Sequence, residues 1–363
     1  FAHAVAGSLY ALGFGRFAAE MWLMVGLPTF GMAEASFVHM LTLILMTVAI
    51  VSFTSLNFRG ASETGQVGNI VTVTKIVILL LFALFGILAM VRAPHWTARF
   101  TTDFLPNGLG GVLQAMGLTF IAFEGYEIIA QSGEEVVNPK RNVPRAIFLA
   151  IGIAVSLYLL ISVVALGATT APAGMKVYQY LGLQKEIATV EVAQQVFPRG
   201  IGGVVLIFSG LVSTMSALNA TTYSSSRVSF AMGRDRNLPL FFARIHPTRH
   251  TPHLAVLASG GIMLAMAWAL PIEQVATAAD LMFLFLFLQV NAAILRLRRK
   301  LPKLETGFRI RAFPMVPIIA LAANALLAVF LFTYSPRAWL VAAGWVVAGL
   351  LLHYTYFSKQ EAL

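Results

Sequence analysis

The sequence predicts an all-α integral membrane protein, and three observations carry that prediction. Hydrophobic residues make up 58% of the 363 and charged residues only 11%, against about 25% charged in soluble domains. Mean hydropathy is +0.81, more apolar surface than a water-soluble fold of this length could hide. The apolar residues are also gathered into ten runs, each close to the roughly 20 residues that a spanning helix needs.

Taken in order, the runs cover about 1–26, 38–58, 68–91, 110–130, 145–169, 200–222, 253–271, 276–296, 313–334 and 337–357. Most are bounded by Pro, Gly or charge, as helix ends are. The first begins at Phe1, already apolar, with no initiator Met and no signal-peptide n-region. The chain therefore reads as a fragment lacking its natural N-terminus, and the end at Leu363 as a second cut or a true end. The connection over 170–199 contains the mixed-polarity stretch from Glu186 to Val196, which predicts a short surface helix. No soluble second domain, low-complexity tract or short-period repeat interrupts the pattern, so residues 1–363 read as one helical bundle.

Lys and Arg set the orientation. Seventeen of the 25 fall at Arg59, at Lys140, Arg141 and Arg145, over 227–249, over 296–311 and at Lys359. The opposite side takes six: Arg92, Arg99, Lys176, Lys185, Arg199 and Arg337. Arg16 and Lys75 lie within segments. Positive charge collects in cytoplasmic loops, so the richer side is the cytoplasm and both ends of the chain face it. The formal charge of +10 is explained the same way, without a nucleic-acid partner. With no cysteine, disulfides, thiolate metal sites and thiol nucleophiles are excluded. No His-Glu-x-x-His, Gly-x-Ser-x-Gly or P-loop pattern occurs, so neither an enzyme nor ATP-driven transport is expected.

Charge inside a membrane is costly and marks candidate function. In the fourth segment Glu124 and Glu127 flank Gly125. Either the helix breaks at the glycine, freeing backbone groups for a ligand, or it stays intact and the two acids pair with polar neighbours. Lys75, several residues inside the third segment, reads either as a side chain snorkelling to the interface or as a buried ammonium that exchanges a proton. The sixth segment carries Ser213, Thr214, Ser216, Asn219, Thr221, Thr222, Ser224, Ser225 and Ser226, hydroxyls that glue helices together or coordinate a small cation or substrate. Arg16 and Glu20, four apart, predict a structural ion pair. His246, His250 and His253 are close in sequence, but Pro247 and Pro252 break helical spacing, which argues against a metal site. Gly344 and Ala348 form a small-residue pair suited to helix packing.

The run from Phe120 to Ile147, with its Glu-Glu-Val-x-Asn-Pro-x-Arg-x-x-Pro-x-Ala pattern, resembles the sixth helix and following loop of amino acid permeases of the amino acid–polyamine–organocation superfamily. Ser216 to Pro239 resembles the end of the eighth helix. The resemblance extends over essentially the whole chain. It implies a five-plus-five inverted-repeat, leucine-transporter-like fold in which the ten segments are family helices three to twelve, with the first two absent. It further implies a secondary transporter that moves amino acids by alternating access, with no cofactor and a proton as coupling ion, in the plasma membrane. Ile121, Ala122, Phe123 and Glu124 would supply carbonyls or pocket walls, Gly125 would permit unwinding and Phe123 would act as a lid. Lys75 matches the fifth-helix lysine of proton-coupled members, and Ser213 and Thr214 lie near the stretch that supplies hydroxyls to the ion site of sodium-coupled relatives. A polyamine or organic-cation permease and a non-transporting sensor are the rivals. A membrane enzyme using Glu124, Glu127 and a histidine is set aside, because all seven histidines lie near segment ends or in loops.

Overall fold

The computed structural model describes residues 1–60, 65–93, 96–102, 104–131, 133, 136–301 and 308–356. Glu134 and Glu135 of the sequence motif, His95, and Lys303 and Lys359 of the charge count lie outside the described residues.

Every expected span is helical, the fourth with an interruption. The chain forms α1 (Ala2–Met24), α2 (Glu34–Arg59), α3 (Gly65–Arg92), the short α4 (Ala98–Thr101), α5 (Gly108–Leu118), α6 (Tyr126–Gln131) and α7 (Pro139–Ala168). After the short α8 (Val177–Gln184) and α9 (Ala188–Val196) come α10 (Gly202–Arg234), α11 (His253–Ala269), α12 (Ile272–Lys300), α13 (Met315–Tyr334) and α14 (Pro336–Tyr356). Six of these are long and apolar enough to cross a membrane, and α5 with the 120–131 stretch makes a seventh that is bent by 50°. This is an all-α, multi-pass membrane fold.

The outward faces are built for lipid. Along α3, Ile70, Val73, Val77, Leu80, Leu84, Leu88 and Val91 recur at three- and four-residue spacing and are all exposed. At about 1.5–3 kcal/mol per large apolar side chain, wetting that one stripe would cost roughly 10–20 kcal/mol, as much as the whole stability of a typical domain. Hydrocarbon removes the cost.

The core forms around α1, which packs against α2, α10, α11 and α12. Ala4, Val5, Ala11 and Ala19 are fully buried there, and small residues let backbones close up where no hydrophobic effect drives association. At Gly15 a Cβ would stand 2.5 Å from the Thr42 carbonyl oxygen of α2, so only glycine allows this crossing. Arg16 and Glu20 form the expected pair, Nη2 to Oε1 at 2.6 Å.

Two elements differ from the sequence reading. The sixth segment does not stop near residue 222 but runs as α10 to Arg234. Its hydroxyl-rich second half is buried at Thr221, Thr222, Ser224, Ser225 and Ser226, with Thr221 and Thr222 bonded back to Ala217 and Leu218 carbonyls. Hydropathy falls there because the helix is walled by protein rather than lipid. The surface helix expected in the 170–199 connection is α9, and it is not superficial. Val190, Val192 and Ala193 are buried in a second core with Phe82, Ala83, Val164 and Ile207.

Candidate functional site

The fourth segment breaks in the middle. Helix α5 ends at Leu118, a single 3-10 turn covers Phe120–Phe123, Glu124 is extended (φ −83°, ψ 170°) and Gly125 has φ +104° before α6 begins. A φ of that sign is open to glycine and strained for an L side chain. The Gly125 N–H, released from the helical ladder, donates to Glu127 Oε2 at 2.8 Å, so an acid two residues on caps the short α6.

Two neighbouring helices hold the break open. From α12, Asp280 Oδ1 accepts the Ile121 N–H at 2.5 Å. From α7, the Tyr158 hydroxyl donates to the Ala122 carbonyl, and the Tyr158 ring meets Phe123 edge-on at 5.3 Å. Phe123 itself is 43% exposed, consistent with a side chain at the edge of the site rather than in the core. Tyr126 stacks on Phe287 of α12 at 5.7 Å.

The electrostatics are unusual for an apolar bundle. Both carboxylate oxygens of Glu124 are buried and, among the described residues, have no hydrogen-bond partner. Asp280 is fully buried, and its Oδ2 is likewise unpartnered. Glu124 stands in the field of both Asp280 and Glu127. Burying a carboxylate without a partner costs several kcal/mol, so the group calls for positive charge: a cation, an ammonium or a bound proton. Asp280 was not among the candidates drawn from the sequence. The signal was present, a single acid inside the apolar run of the eighth segment, and the same rule that singles out Glu124 applies to it.

Below the break a polar chain joins α6, α1 and α10. Ser224 donates its hydroxyl to Gln131 Oε1, and Gln131 Nε2 lies 3.0 Å from His3 Nε2. With that amide orientation His3 Nε2 accepts, and His3 Nδ1 stands 3.8 Å from Glu127 Oε1. His3 does sit at a segment end, as the sequence indicates, yet it is only 6% exposed and belongs to the core.

Comparison with known proteins places this architecture. The sequence model described as "Amino acid permease" matches residues 2–352. The chain belongs to the amino acid permease family. It is 28% identical over 321 residues to the methylthioribose transporter of Bacillus subtilis, covering 88% of this chain and 64% of that protein. It is 27% identical over 317 residues to the branched-chain amino acid permease BcaP of the same organism, covering 87% and 64%. The mouse cationic amino acid transporter 4 is 24% identical over 247 residues, covering 67% and 37%. The chain thus spans about 64% of the length of the first two relatives.

The remaining candidates of this family member sit apart from the break in sequence. Ile121, Ala122, Phe123, Glu124 and Gly125 are gathered at it, whereas Lys75 is half-buried on α3, a helix that packs on α7, α9 and α10. Ser213 and Thr214 are half-buried on α10. Thr214 bonds back to the Gly210 carbonyl at 2.8 Å and faces α1 at Gly13. The histidine cluster is packed around an aromatic ring: His246 and His253 approach the Phe58 ring edge-on at 5.7 and 6.2 Å, and Arg249 lies over it at 4.7 Å. Among the described residues no group of three or more potential ligands could hold a metal.

Proposed function

We propose that this protein is a secondary transporter, not an enzyme, and that it carries amino acids across the plasma membrane by alternating access, with its cargo bound at the break between α5 and α6. One observation carries the reading: a helix interrupted within an apolar bundle, with unpartnered buried carboxylates beside backbone groups released from the ladder. Transporters build midplane sites in this way, and irregular backbone is tolerated at membrane depth only where protein or a cavity lines it. In this reading Ile121, Ala122, Phe123 and Glu124 form the substrate wall, Gly125 gives the chain its turn and Phe123 moves over the cargo. Asp280 fixes the Ile121 amide, and Glu124 receives the substrate's ammonium group. Residues 1–363 act as one bundle with both described ends on the cytoplasmic side, where most Lys and Arg fall.

The coupling ion in this account is a proton, and no other cofactor is needed. Lys75 releases and rebinds it on α3, and Ser213 and Thr214 line the neighbouring stretch of α10. The buried pair Glu124 and Asp280 favours one second reading, a permease for organic cations such as polyamines, whose charge would compensate both acids. Binding to the purified protein separates the two. Displacement of a labelled amino acid mixture by single neutral amino acids supports the first reading. Displacement by putrescine and not by any amino acid overturns it in favour of the second.

A further inference from the structure

We infer that the basic end of α12 is a binding site for the phosphate headgroup of an anionic phospholipid. A cavity of about 420 Å³ lies between α12 and α13, lined by Ala292, Leu295, Arg296, Arg299, Lys300 and Leu321. The volume is within the range of small-molecule sites, about 300–1,000 Å³. The five residues from α12 stand at i, i+3, i+4, i+7 and i+8, a single face of the helix. Along that face the chemistry changes in one direction. Ala292 and Leu295 come first, with Leu321 of α13 opposite, and the three cations follow toward the helix end. At 1.5 Å per residue the change from Ala292 to Lys300 takes about 12 Å. A phospholipid lying along a helix presents the same sequence, acyl chain and then phosphate.

Arg296, Arg299 and Lys300 are exposed, and no acid is among the described residues lining the cavity. None of the three has an ion-pair partner among the described residues. Arg298, on another face, is occupied differently, with its guanidinium 4.9 Å above the Phe313 ring, so the cavity's cations are a subset selected by position. Basic residues near a helix C-terminus complement its dipole and fix orientation in the membrane. Neither role requires three of them on one face above an apolar wall. Basic pockets between helices on the cytoplasmic side are where anionic headgroups bind, and the planar fork of arginine matches phosphate oxygens. The apolar wall distinguishes a lipid from a soluble phosphate, which has nothing to place against Leu295 and Leu321.

The test is retention of lipid by the purified full chain, read by native mass spectrometry after exchange into detergent holding phosphatidylglycerol, phosphatidylcholine or inorganic phosphate. One phosphatidylglycerol should be retained in preference to phosphatidylcholine, and phosphate should not displace it. Replacing Arg296, Arg299 and Lys300 together by Gln should weaken retention on the order of a hundredfold, at about 1 kcal/mol per charge near the surface. Leu321→Trp, which fills the cavity and leaves every charge in place, should also release the lipid even if the triple variant inserts poorly. Arg309→Gln with Arg311→Gln removes cytoplasmic charge outside the cavity and should change nothing. Equal retention of phosphatidylcholine, displacement by phosphate, or lipid still held by the Leu321→Trp variant would overturn the assignment.

Discussion

Replacing Gly125 by Ala isolates the backbone geometry on which the site depends. At φ +104° an L residue is strained by about 1–3 kcal/mol. The added methyl itself meets nothing within 4 Å, so no steric clash obscures the result. If the break is the binding-competent conformation, that strain lowers its population and raises the apparent dissociation constant in proportion. At about 1.4 kcal/mol per factor of ten, affinity should fall roughly 5- to 140-fold. The assay is equilibrium binding of a labelled substrate to purified protein, with thermal unfolding recorded in parallel. Gly261→Ala is the matched control: it adds the same methyl, also into open space, at a helical glycine of ordinary φ in α11. It should leave affinity unchanged. Unaltered binding by the Gly125 variant, or an equal loss from both, would refute the reasoning. Gly125→Leu should act in the same direction and more strongly.

Three further outcomes are expected. Asp280→Asn keeps the side chain's shape and an oxygen that can accept from the Ile121 amide, so what is lost is the difference between a charge-assisted and a neutral bond, about 1 kcal/mol; kcat/KM for uptake should fall about 5-fold, and wild-type uptake would remove the Asp280 charge from the site. Lys75→Ala should abolish accumulation driven by a pH gradient while the protein still folds and binds substrate, and unchanged accumulation would end the proton role. Gly15→Val drives a side chain into the Thr42 carbonyl of α2 and should destabilise by about 1–3 kcal/mol, seen as a lower unfolding temperature; an unchanged transition would contradict the close crossing of α1 and α2.

The apolar runs were legible because a spanning helix must be long enough for a bilayer, a constraint written directly into composition, and among the described residues six helices and one bent pair meet it. Their ends were less so wherever protein replaces lipid as the surroundings. The Thr- and Ser-rich half of α10 is helical because its hydroxyls bond to its own carbonyls and bury against neighbours, and hydropathy treats such residues as loop. Val190, Val192 and Ala193 enter a core whose other members come from α3, α7 and α10, contacts that no local pattern reveals. At Gly125 the sequence left a break and an intact helix both open, since glycine permits either. The choice is made by partners distant in sequence, Asp280 and Tyr158, which satisfy the released Ile121 amide and Ala122 carbonyl. Asp280 itself was readable by the cost of charge in a membrane. His3 was not, because a residue at a segment end becomes buried only through the packing of α1 against α6, α10 and α12. The ion pair of Arg16 and Glu20 followed from spacing within one helix, where local geometry suffices.

The measurement that tests the central claim most directly is uptake of a labelled amino acid mixture by proteoliposomes holding the complete gene product, with and without an imposed pH gradient. The account predicts uptake above the level of protein-free vesicles, accumulation only with the gradient, and competition by single amino acids. Absence of uptake under both conditions, from protein shown to be folded and inserted, would contradict it.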